Sequence, residues 1–203
     1  MILALDTSTA ACTAALIGPD GDVVARADEL IGRGHDKRLA PMIAELLGGH
    51  VPSRILVGVG PGSFTGIRVG IACAEGLGIG WSVPVHGMNS LALVAAGGPP
   101  GSLLVAVAGG HGELFVQPFD AERRPTEAVA SLAPAEAAAR FPHLPVVGGG
   151  AAALVAARGE AGGGAGPELL PSAANALRLP VEEQSLPPRP AYARAPDAKA
   201  RAA

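Results

Sequence analysis

Cysteine is nearly absent from this chain. Cys12 and Cys73 are the only two, and no Cys-x-x-Cys pair exists to build a zinc knuckle or a thioredoxin-type motif. Both read as free thiols. Aromatic side chains make up 3% of the residues, so Val, Ile, Leu and Ala must fill the core. Charge is scarce too: 16% of residues carry one and the formal net charge is −3, which gives no general attraction to nucleic acid. Long clean apolar runs are missing. The longest, 67–85, is broken by Arg68, Glu75 and several glycines, poor material for a membrane span. The opening MILALDTS has no basic leader and soon reaches Asp6, unlike a secretory signal. The expectation is a cytoplasmic protein with no membrane contact.

Glycine and proline, by contrast, punctuate the chain throughout. Segments 2–6, 12–17 and 23–30 read as strands, the last two joined by the turn Pro19-Asp20-Gly21-Asp22. Leu39, Met42, Ile43, Leu46 and Leu47 recur at helical spacing, so 36–47 reads as a helix. Pro41 is expected to kink it or mark its first turn, and Gly48-Gly49 to stop it. A strand at 55–59, a helix to about 80 and a strand at 82–86 follow, then a helix through 96 capped by Asn89 or Ser90. Gly97 to Gly101 is the strongest break and divides the chain into expected units 1–98 and 99–203. Beyond it, 103–108 and 113–119 read as a hairpin around Gly109-Gly110-His111-Gly112. Helices at 134–140 and 151–157 flank a strand at 144–147. A low-complexity linker occupies 159–167, and the Pro, Ala and Arg-rich tail from 186 reads as a solvated terminus. The order β-β-β-α-β-α, repeated with erosion, implies an α/β protein of two related lobes.

The stretch 58–70, GVGPGSFTGIRVG, has the look of a phosphate cradle. It contains no lysine, which a P-loop requires, and its glycines miss the first, third and sixth positions of the dinucleotide fingerprint. A glycine loop before a helix can still bind an anion through backbone N–H groups; it can equally be a structural turn. Asp6, Thr7 and Ser8, an acid at a strand end followed by hydroxyls, can hold a metal–phosphate or form an ordinary turn. No two of the five histidines stand four apart, so there is no His-x-x-x-His pair. His35 is placed to cap a helix, touch a partner or bind a ligand. No Gly-x-Ser-x-Gly nucleophile elbow occurs.

The helix after the loop carries Gly66, Gly70, Ala74 and Gly78 on one stripe. Its interior glycines at 66, 70, 76 and 78 cost about 1 kcal/mol each relative to alanine. A smooth stripe offsets that by letting a neighbour approach closely and bury apolar surface. The neighbour is another helix of this chain or a second subunit.

The string Gly60-Pro-Gly-Ser-Phe-Thr-Gly-Ile-Arg-Val-Gly70 resembles the signature of the TsaB (YeaZ) family. The opening Ile2-Leu-Ala-Leu-Asp-Thr-Ser-Thr9, the helix HDKRLAPMI from His35 to Ile43, the segment Val85-His-Gly-Met-Asn-Ser-Leu91 and the closing Pro190-Ala-Tyr-Ala-Arg194 are similar as well. The resemblance is dense over 1–95 and thin from 100 to 185. It implies a two-lobed α/β fold of the actin/Hsp70/sugar-kinase-like (ASKHA) type. It also implies a non-catalytic dimerisation subunit. Its partner would be TsaD, which transfers a threonylcarbamoyl group to N6 of adenosine 37 in tRNA. The ATPase TsaE would join in a ternary complex, a homodimer would form when the chain is alone, and tRNA would be touched only indirectly. No cofactor is implied, beyond residual ATP or ADP at the partner junction.

TsaD carries a His-Leu-Glu-Gly-His metal motif, and here Ser90 and Val94 stand where its histidines would be, with Ala92 for the carboxylate. Serine is a poor ligand and valine none. The family's Asp-Ala-Arg/Lys step in the second lobe is also lost, to Ala108-Gly-Gly-His-Gly-Glu113-Leu-Phe115. The expected contact with the partner comprises Leu39 and Ile43 on the first helix and Gly62, Ser63, Phe64, Thr65, Gly66, Ile67, Gly70, Ile71 and Ala74 on the loop and second helix. On that reading Gly70→Leu blocks the partner and spares the monomer. Asp6, Thr7 and Ser8 become a vestigial nucleotide or phosphate site. The rival readings are an ATP-binding phosphotransferase-like or M22-type glycoprotease-like enzyme, resting on Asp6 and the glycine loop, and a tRNA binder resting on the basic tail.

Overall fold

A computed structural model describes residues 1–159 and 168–194. Two sheets form the frame. The first has the order β3-β2-β1-β4-β5, from strands β1 (Ile2–Asp6), β2 (Ala11–Ile17), β3 (Val23–Leu30), β4 (Arg54–Gly58) and β5 (Val85–Met88). β1 pairs antiparallel with β2 and parallel with β4, which pairs parallel with β5. The parallel steps are made by the helices α1 (His35–Leu47) and α2 (Phe64–Trp81), as crossovers require. Helix α3 (Ser90–Ala96) follows β5, its N-terminus capped by Asn89, whose side chain accepts from the Leu91 and Ala92 N–H groups. The second sheet has the order β8-β7-β6-β9, from β6 (Leu103–Gly110), β7 (Glu113–Phe119), β8 (Ala130–Leu132) and β9 (Val146–Val147). Helices α4 (Pro134–Arg140) and α5 (Ala151–Arg158) belong to it.

Strand alternation sorts the apolar residues into three cores. Leu3 and Leu5 of β1 face α1 and α2, joined by Leu39, Met42, Ile43, Ile67, Ile71 and Ala74. Ala4 of β1 faces the other way, into a central core shared with α3, Val105 and Val107 of β6, and Ala173 and Ala176. Leu104 and Ala106 of β6 face α4 and α5. The layers therefore run helices, sheet, shared core, sheet, helices, the α/β two-lobed arrangement that the order of elements implies.

Three stretches differ from the sequence reading. The strand expected at 82–86 begins at Val85, because Ser82 adopts a left-handed conformation and its N–H closes on the last turn of α2. Helix α1 runs on through Pro41, which lies on its exposed side. The segment after the second sheet returns to the first: short 3-10 helices at Ala173–Arg178 and Val181–Gln184 pack there. Ala173 N–H donates to Thr13 Oγ1 (2.9 Å), and Leu186 pairs with Gly87 beside β5. Residues 160–167 of the expected linker lie outside the described residues, as do Asp197, Lys199 and Arg201 of the tail.

Candidate functional site

The glycine loop and the Asp6-Thr7-Ser8 turn are two halves of one interlocked structure. Ser63 N–H donates to Ser8 O (2.6 Å) and the Thr7 hydroxyl to Gly66 O (2.7 Å). A Cβ at Gly62 would overlap Ser8 O, and one at Gly66 would overlap Thr7 O. Glycine stands there because backbone meets backbone. Ser63 caps α2, its Oγ accepting from Gly66 N–H (3.3 Å). Two donors that a phosphate could use are thus spent inside the chain. Asp6 is fully buried. Its carboxylate accepts from Ser8 N–H (2.7 Å), the Ser8 hydroxyl (2.7 Å) and the Ser90 hydroxyl (2.6 Å). Burial raises its pKa above the ordinary aspartate value, and the Ser90 and Ser8 hydrogen bonds oppose that rise. A Cβ at Gly58 would overlap Asp6 Oδ2, so the carboxylate is sealed on that side. The polar groups of the expected phosphate-type site, Asp6, Thr7 and Ser8, are thus engaged in hydrogen bonds within the chain. Ser90 and Val94 are likewise enclosed. His35 contacts Ala11 O through Nε2 (3.1 Å) and ties α1 to β2. Among the described residues, no group of three or more His, Cys, Asp or Glu is placed to hold a metal ion.

Between the lobes lies a cleft of about 790 Å³. Ser8, Thr9, Ser63 and Phe64 line its first-lobe wall, and Val107 to Gly110 with Phe115 line the second. Residues 191–194 of the tail cross its mouth, partly exposed but bonded to both walls, more closely held than a solvated terminus. Ala191 N–H donates to Val59 O (2.8 Å). The Tyr192 ring stacks on Phe64 with centroids 5.1 Å apart. The Arg68 guanidinium sits 3.7 Å from the Phe64 centroid, and its Nε donates to Tyr192 Oη (2.8 Å). On the far side, Arg194 donates to Glu113 Oε2 (3.3 Å) and meets His111 Nδ1 (2.8 Å). The Ser131 hydroxyl and Arg194 together hold the Glu113 carboxyl below its ordinary pKa. Arg68, Tyr192 and the Glu113–Arg194 pair escape pattern reading because they meet across 124 and 81 positions of sequence. The string Pro190-Ala-Tyr-Ala-Arg194 carries Tyr192 and Arg194, and the string Gly60 to Gly70 carries Arg68, but neither string pairs them.

A family model described as "TsaD: tRNA N6-adenosine threonylcarbamoyltransferase" matches residues 27–131, just over half of the chain. Among curated relatives, the tRNA threonylcarbamoyladenosine biosynthesis protein TsaB of Escherichia coli (strain K12) is 43% identical over 101 residues, covering 47% of this chain and 43% of that protein. The Haemophilus influenzae TsaB is 43% identical over 101 residues, covering 46% and 41%. A solved structure described as YeaZ from Pseudomonas aeruginosa superposes with a TM-score of 0.76 at 27% identity, over 94% of this chain and 99% of that one. The chain belongs to the TsaB (YeaZ) family. Its matches to these two curated relatives span less than half of their length, whereas the solved structure is covered almost end to end.

Helix α2 and its neighbour α1 turn most of the residues expected at a partner contact inward. Leu39, Ile43, Gly66, Ile67, Gly70, Ile71 and Ala74 are all buried in the chain's own first lobe. A Cβ at Gly70 would lie 2.6 Å from Thr7 Oγ1, and one at Gly78 2.5 Å from Val85 Cγ2. The smooth stripe therefore faces the sheet beneath it, neither a helix nor a second subunit, and Gly70→Leu would disrupt the monomer itself. Ser63, Phe64 and Thr65 are exposed, and Gly62 is half-buried. The outward face of α2 is a different stripe: Arg68, Ala72, Gly76 and Gly80 at four-residue spacing, with Ile79 81% exposed. Nothing lies within 4 Å of a Cβ at Gly76 or Gly80. Beside it, α1 exposes Ala40, Pro41 and Ala44. The Cys73 thiol sits half-buried on α2, raised in pKa by burial, and burial pushes Cys12 up to about 11. Neither is a poised nucleophile.

Proposed function

We propose that this chain is an accessory subunit of tRNA threonylcarbamoyladenosine synthesis that binds a TsaD-type catalytic relative through the outer faces of α1 and α2. The observation that carries the reading is the uncovered stripe of Ala72, Gly76 and Ile79 beside Ala40 and Ala44, on helices of a chain whose curated relatives are named for that biosynthesis. Small outward residues let a partner helix come close, and exposed Ile79 supplies apolar area for it to cover. The enclosure of Asp6 by Ser8 and Ser90 supports an accessory role over a catalytic one. On the same reading a second copy covers this face when the partner is absent, the ATPase TsaE joins the assembled pair, and tRNA is met only through the complex. Any residual ATP or ADP sits at the subunit junction.

The test is co-purification with a TsaD-type partner, followed by assay of N6-threonylcarbamoyladenosine in tRNA with and without this chain. We expect modification to need the chain, and Ala72→Arg with Gly76→Arg to abolish co-elution while leaving the circular dichroism unchanged. Retained co-elution removes the placement. Modification that proceeds fully without the chain removes the role.

A further inference from the structure

The tail makes contacts on both lobes. Leu186 exchanges two backbone hydrogen bonds with Gly87 (2.7 and 3.0 Å) and Ala191 N–H reaches Val59 O, so the tail is seated on the first lobe. Tyr192 then stacks on Phe64 under Arg68. Two residues later, Arg194 bonds to Glu113 and His111, at the tip of the β6–β7 hairpin of the second lobe. Tyr192, Ala193 and Arg194 all line the cleft. The base of the cleft is joined differently, by the packed central core. Packed cores resist opening, whereas a half-exposed ion pair and a ring stack at the surface are individually weak. The hairpin tip turns through left-handed residues at Gly110, His111 and Gly112.

We propose that residues 186–194 form a latch that closes the mouth of the interlobe cleft, with Tyr192 as its first-lobe clasp and Arg194 as its second-lobe hook. The clasp is also the handle. Arg68 shares the outward stripe of α2 with Ala72 and Gly76, so a subunit that docks there and takes the Arg68 guanidinium loosens Tyr192. This second step rests on the docking face proposed above; the latch itself does not. By linkage, opening of the latch then favours docking as much as docking favours opening.

The experiment is amide hydrogen exchange on the full chain, with 1-anilinonaphthalene-8-sulfonate fluorescence as a probe of the apolar cleft wall of Leu30, Val107, Phe115 and Leu170. Arg194→Ala is expected to speed exchange several-fold in the 108–113 hairpin and at the Ala191 amide, with β1 and β4 unchanged, and to raise dye fluorescence. Tyr192→Ala should do the same, and Tyr192→Phe, which keeps the stack and loses the Arg68 bond, should fall between. Unchanged hairpin and Ala191 exchange in both Arg194→Ala and Tyr192→Ala overturns the latch. For the second step, a TsaD-type partner is added to the wild-type chain. Faster Ala191 exchange in the complex supports release through Arg68; a complex that forms with Ala191 as protected as before overturns it and leaves the docking face standing.

Discussion

Asp6 shows how one residue can keep the look of a site while serving the fold. Its carboxylate is the shared acceptor for the Ser8 N–H, the Ser8 hydroxyl and the Ser90 hydroxyl, all buried. Asp6→Ala orphans these donors, and a buried unpaired donor costs about 1–3 kcal/mol. Asp6→Asn keeps an acceptor oxygen for Ser8 and is expected to cost clearly less. The two variants also separate charge from hydrogen bonding. Burial raises the folded pKa of Asp6, so the folded chain holds this proton more tightly than the unfolded one. Its titration removes stability as pH rises from the ordinary carboxylate value through the raised one, and costs nothing below both. Wild type should therefore gain on Asp6→Asn as pH falls through that window. Urea midpoints of the two proteins across the acid range check this. A constant difference between them would mean that Asp6 titrates alike folded and unfolded.

At the scale of the element, α2 separates two kinds of glycine that the sequence cannot tell apart. Gly66 and Gly70 face Thr7, where a side chain has no room; Gly76 faces open space. Gly76→Ala should then recover the helix propensity of alanine, about 1 kcal/mol, seen as a higher urea midpoint. Gly66→Ala should destabilise the chain by more than that, since backbone at Thr7 must move. Equal effects would contradict the facing of the helix. The same contrast shows what was legible. Period and caps mark the bounds of α1 and α3 closely, because Asn89, Gly48 and the leucine spacing act locally. The four-residue glycine repeat points to a close approach, but a helix or a second subunit is the wrong neighbour for it: Gly66 and Gly70 meet Thr7 and Gly78 meets Val85, while a second four-residue stripe at 68, 72, 76 and 80 lies on the same helix. Which one turns inward depends on where β1 lies, and that is set by pairing outside the helix. Tyr192 and Arg194 were visible only as part of a short string, because their partners are supplied by distant strands and loops.

At the scale of the whole molecule, the two lobes are distinct in topology and joined in their packing. Ala4, Ala15, Ile17, Leu56 and Met88 of the first sheet meet α3, Leu103, Val105 and Val107 of the second lobe's β6, and Ala173, Ala176 and Leu179 of the returning segment. The first sheet is thus covered on one face by α1 and α2 and on the other by residues that lie mostly beyond the glycine break at 97–101. A sheet with a bare apolar face has no stable arrangement in water. Residues 1–98 expressed alone, although they hold all five strands of that sheet, are therefore expected to aggregate or to give a collapsed nuclear magnetic resonance spectrum. The full chain should unfold in one transition, with Trp81 fluorescence in the first lobe coinciding with loss of exchange protection in β6 and β7. A dispersed spectrum from 1–98, or two separated transitions, would show that the central core is an interface between independent units. The outcome bears on the cleft as well. A shared core ties the lobes together at its base, so that motion between them is expected at the mouth, where among the described residues Tyr192 and Arg194 of the tail bond to opposite walls.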